Sequence, residues 1–214
     1  MIRSVARALR SISLRLFISR ARPVVLHDIR VWFFMARGPS RDVMEATMAR
    51  ALDILATRDP RRLDRIRHRL NGIIVAFGGA SGPAGLYNEQ LRVCEINSAF
   101  YSDGQPGNAL LLALTIVHEA MHGLLASIGY SAREPCDEAT RVIIERACVR
   151  AELAVLHRLA PVAGSRAPLE QALLRQLEST AATYSHEERW RRLRSMLGEM
   201  WALARGKAPT DRRS

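Results

Sequence analysis

From Pro106 to Ile128 the chain carries a single charged residue, Glu119, although charged residues make up 25% of the whole. Ala109, Leu110, Leu111, Leu112, Ala113, Leu114, Ile116 and Val117 follow one another with only Thr115 between them. Pro106 suits a first helical turn and Gly129 a helix stop, so 106–128 reads as one long helix. A helix that is apolar nearly all round must be buried on most sides, and the rest of the chain has to be built to cover it. With 214 residues and 48% hydrophobic content there is material for one core, which excludes a chain disordered throughout. No uninterrupted apolar run reaches the roughly 18 residues of a membrane span.

The covering elements are legible on either side. Val43, Met44, Met48, Leu52 and Leu55 recur at three- and four-residue steps and predict a helix over Arg41–Arg58. Pro60 opens a shorter helix that Asn71-Gly72 ends. The β material is confined to 73–77 and 91–97, flanking the glycine-rich stretch 78–85, and is expected to form a hairpin or small antiparallel sheet. That stretch is a turn rather than a phosphate cradle, because a P-loop needs Lys-Ser/Thr after its last glycine and here Leu86-Tyr87 follows. After 131–135 another helix runs to about residue 159. A final helical pair is expected over 169–182 and 186–204, with Ser185 and Glu188 in capping-box spacing. The fold class is thus α+β, predominantly helical, with a small antiparallel sheet preceding the long helix. Residues 1–37 read as a basic amphipathic extension, 38–205 as the main domain and 206–214 as a flexible tail.

The net charge of +11 is unevenly placed. Residues 1–37 hold eight Arg against Asp28, a balance of +7, residues 189–214 balance at +6, and the stretch between them at −2. A near-neutral central domain argues against a specific nucleic-acid surface, which clusters its charge on a folded face. The N-terminal segment alternates Arg with Leu9, Ile12 and Leu16. It can either pack on the main domain with its Arg face in water or lie on an anionic membrane. Cys94, Cys136 and Cys148 are odd in number and lack CxxC spacing, so they read as reduced, buried thiols in an intracellular protein.

The chemistry sits inside the apolar helix, at His118-Glu119-Ala120-Met121-His122. Residues four apart share a helix face with Cβ atoms roughly 5–6 Å apart, so the two imidazoles can hold one metal ion. Zinc takes imidazole nitrogen and, in catalytic sites, keeps one position open. The ion would draw a water's pKa toward neutrality, and Glu119, beside the first histidine, would accept the proton. The bland reading, two histidines and a carboxylate paired within a core, leaves a costly buried Glu119 to account for.

With no charge and no Pro from Thr115 to Leu124 except the motif's own, this stretch resembles the extended signature of the zincin metallopeptidases. The metzincin continuation is absent. The resemblance therefore points to the gluzincin pattern, in which a glutamate from the next helix is the third ligand. Glu138, Glu145 and Glu152 lie at seven-residue steps on that helix and share a face. In an antiparallel helical hairpin, residue 120 lies roughly 14 Å below the turn at Gly129, and the same climb from Pro135 ends near residue 144. Glu145 is the nearest carboxylate, and Glu138 is reachable across a bent turn. A likeness to small bacterial proteins with the same helix covers about residues 70–160 and names no substrate.

The resemblance implies a zinc-dependent hydrolase, a metallopeptidase acting on a peptide or protein substrate. Zn²⁺ would be held by His118, His122 and Glu145, and Glu119 would serve as general base. It also implies a strand along the cleft, for which 91–97 is the candidate, and a donor to the reacting carbonyl, for which Tyr130, Tyr184 and His186 are candidates. The alternative is a metal-containing binding or regulatory module that cleaves nothing. The expected location is cytoplasmic, with residues 1–37 offering peripheral contact at the inner face of the membrane.

Overall fold

The computed structural model describes residues 12–34, 40–76, 83–101, 106–131 and 136–158, with Gln171 and Arg175. The helical pair expected over 169–182 and 186–204 lies outside these apart from those two residues, as does the tail. Among the described residues there are five helices and a five-stranded mixed sheet, and helix predominates. We label the helices α1 (12–20), α2 (Arg41–Arg58), α3 (Pro60–Arg69), α4 (Pro106–Ser127) and α5 (Glu138–Arg158). The strands are β1 (Val24–Leu26), β2 (Ile29–Phe34), β3 (Gly72–Ala76), β4 (Gly85–Asn88) and β5 (Val93–Asn97).

The α+β class and the sheet ahead of the motif helix are as the sequence predicts, but the pairing differs. The order is β1-β2-β3-β5-β4, with β2, β3 and β5 parallel and only the two outer strands antiparallel to their neighbours. The expected partners 73–77 and 91–97 do lie side by side, but in parallel. Between them the chain goes out to form β4 and returns, which inserts β5 between β3 and β4. Two strands also arise inside the segment 1–37. They meet at a two-residue turn in which His27 (φ 49°) and Asp28 (φ 61°) both adopt the left-handed conformation that tight hairpins require. The turn is held from outside: His27 Nε2 lies 2.6 Å from Asp53, and Arg67 donates to the His27 carbonyl at 2.7 Å.

Strand alternation divides the sheet. On one face Leu14 of α1 packs with Trp32, Ile74 and Val93, flanked by Phe17, Ile18 and Ala21, so the inner side of the N-terminal helix is spent on the sheet. Its outer side leaves Ile12 and Leu16 half exposed. On the other face Val31, Ile73, Val75, Cys94 and Ile96 meet Met44, Met48, Leu52, Leu112 and Ile116 in the main core. The helix α4 runs through the middle of this layer, touching α2, α3, α5, β4 and β5. It is long and apolar enough to cross a membrane, yet 67% of that window is buried within the protein, which is the environment its composition demands. It stops as expected: Gly129 turns to φ 94° and the Tyr130 amide donates back to the Leu125 carbonyl at 2.9 Å.

Candidate metal centre

Two adjacent helices build the site. On α4, His118 and Glu119 are fully buried and His122 is nearly so. The Nε2 atoms of the two histidines are 3.2 Å apart, so the one-turn spacing does bring both rings to one point. From α5 the Glu145 carboxylate reaches both, with Oε2 3.5 Å from His118 Nε2 and Oε1 3.6 Å from His122 Nε2. Glu138 stays at the exposed start of α5 and pairs with Arg141 at 3.5 Å. Of Glu138 and Glu145, it is Glu145 that stands at the Nε2 atoms of both histidines.

Glu152, one further heptad along, approaches the other side of the same ring. Its Oε1 contacts His118 Nδ1, which fixes the imidazole plane and turns Nε2 toward His122 and Glu145. Metal-ligating histidines are oriented this way by a carboxylate on the second nitrogen. Burial, and after it the nearby Glu119 carboxylate, pushes the Glu152 carboxyl well above the usual range.

Cys148 lies one turn beyond Glu145. Its Sγ and one ring nitrogen from each histidine are all within 4.8 Å of one another, so His118, His122 and Cys148 form a buried group able to hold a metal ion. Sequence reasoning placed Cys148 correctly as a buried thiol but gave it no role. The signal was available, since Glu145, Cys148 and Glu152 are spaced by three and four and therefore share the face turned to α4.

Glu119 projects from a different side of α4, toward β4. A Cβ added at Gly85 would come within 2.9 Å of Glu119 Oε1 and 2.6 Å of the Thr115 methyl, so only glycine lets the strand pass this close. Thr115 donates to the Leu111 carbonyl, which leaves the Tyr101 hydroxyl to donate to Thr115 Oγ1 at 2.8 Å. One turn on, Tyr87 of β4 lies against Gly123, where a Cβ would meet its ring at 3.1 Å.

The edge strand beside the motif helix is thus β4, while the 91–97 segment expected to line the cleft contains β5, one strand further in. β5 is bonded on both edges, to β3 and to β4, and has no edge left for another chain. Of the proposed carbonyl donors, Tyr130 is half exposed beyond the end of α4, and Tyr184 and His186 lie outside the described residues. Compared with protein-family models, with curated proteins and with solved structures, the chain matches none, so its chemistry is read from its own side chains.

Proposed function

We propose that this protein is a zinc-dependent hydrolase of the zincin type, cleaving amide bonds in a peptide or protein substrate. One observation carries the reading: two imidazole nitrogens and one carboxylate converge at 3.2, 3.5 and 3.6 Å. Donors that share a zinc ion, bonded at about 2.0–2.1 Å in tetrahedral array, lie about 3.3 Å from one another. The donor set His118, His122 and Glu145 fits the ion in both chemistry and spacing. When bound, zinc would supply Lewis acidity, lowering a water's pKa and polarising the substrate carbonyl.

The chain's own residues would do the rest. Glu152 holds the His118 ring with Nδ1 occupied and Nε2 presented. Glu119 accepts a proton from water as its oxygen bonds to the carbonyl carbon, then gives that proton to the departing amine as the C–N bond breaks. Burial of His118 and Glu119 keeps bulk solvent from competing and strengthens each electrostatic contact. A second reading, a metal-holding module without turnover, draws on the same burial, because none of the three proposed ligand side chains is more than 12% exposed.

Elemental analysis tests the foundation. One zinc per wild-type chain is expected, lost in His118→Ala, His122→Ala and Glu145→Ala and retained in Glu138→Ala. Absence of zinc after reconstitution would reduce the cluster to core packing. Zinc bound without hydrolysis of a mixed peptide library would select the second reading.

A further inference from the structure

Three ligands leave a tetrahedral ion one position short, and what occupies that position decides whether a site is structural or catalytic. Cys148 is a further donor that could fill it. Its Sγ lies within 4.8 Å of one ring nitrogen of each histidine. It is three residues from Glu145 on the same helix face, so the two side chains approach the centre together. Sulfur and nitrogen bound to one zinc lie about 3.6 Å apart, so a side-chain adjustment of about 1 Å brings the thiol into place.

We propose that Cys148 is a fourth, displaceable ligand: its sulfur closes the centre in a resting state, and hydrolysis begins only when it withdraws. This rests on the zinc reading above and adds its regulation. Closing the site would break the S–H bond and release the water held there; the sulfur lone pair would go to the ion and the proton to solvent. Opening it returns the proton and admits water. The thiol would also protect the ion from loss, since thiolate is a better zinc ligand than water.

Zinc-edge X-ray absorption on the zinc-loaded full chain reads this directly. One sulfur at about 2.3 Å is expected in the wild type and in Cys94→Ala, and none in Cys148→Ser, which keeps its zinc. A wild-type spectrum of nitrogen and oxygen alone, with zinc bound, would overturn the proposal and leave the three-ligand centre standing. A wild type that binds no zinc would overturn both. Turnover separates a latch from a permanent ligand. If the closed form holds about nine-tenths of the molecules, Cys148→Ser hydrolyses peptides about tenfold faster than wild type. A sulfur shell with turnover unchanged or lower in the variant would show a fixed structural ligand and overturn displacement.

Discussion

Helix α5 contributes to two polar clusters, and they are built on opposite principles. At its C-terminal end Arg158 reaches Asp59 at 2.6 Å, and Asp59 also caps α3 by accepting from the Arg62 amide at 3.2 Å. Cation meets anion, one side chain ties α3 to α5, and the arrangement needs no further component. In the middle of the helix Glu145, Cys148 and Glu152 face His118 and His122, so two carboxylates and a thiol crowd two imidazoles. Desolvated carboxylates repel one another and are costly to keep ionised, as the raised Glu152 shows. The first cluster is a staple, while the second has the composition of a cage for a cation.

The largest effect that would break this contrast is catalytic. Glu119→Gln removes a proton acceptor but no proposed ligand, so turnover of a peptide library should fall roughly 10²- to 10⁴-fold with zinc content unchanged. Equal rates in the two proteins would strip Glu119 of its role. Next comes Glu152→Gln, which weakens the hold on His118. Competition with a chelator should report roughly 10- to 100-fold weaker zinc binding. The matching change at the other cluster, Arg158→Ala, should lower stability in denaturant by about 1–3 kcal/mol, because buried Asp59 loses its closest partner. Its zinc affinity should stay at the wild-type value, and a loss there would mean that the clusters are one coupled unit. Smallest of all is Glu138→Ala, expected within about 0.5 kcal/mol of wild type and fully metallated, as befits an exposed pair.

What could be read from the sequence follows the range of the interactions involved. The bounds of α2 and the start and stop of α4 rest on local signals: Ser40 capping the Val43 amide, Pro at a first turn, Gly129 at a stop. Glu145 was reachable because a helical hairpin converts residue number into height. The sheet was not. Whether 73–77 and 91–97 pair in parallel depends on a third strand, and Gly85–Asn88 is short, edge-lying and hidden after a glycine-rich stretch. The β1–β2 hairpin was missed because its turn uses His27-Asp28 instead of the usual Asn-Gly, and because Arg22 and Arg30 make its surroundings look like a solvated arm. Cys148 was missed because a thiol has no motif of its own when its partners come from another helix.

The parallel core of the sheet also bears on how the protein assembles. Pairing β2 with β3, Val31 opposite Ile73, closes a chain loop across two whole helices, whereas α4 and α5 are consecutive in sequence. Loop-closure entropy and contact order favour the local partnership first. His118, His122, Glu145, Cys148 and Glu152 all belong to that helix pair. The donor atoms can therefore gather before the sheet is complete, and an ion captured early would act as a clamp on the folding nucleus as well as a reagent in the finished protein.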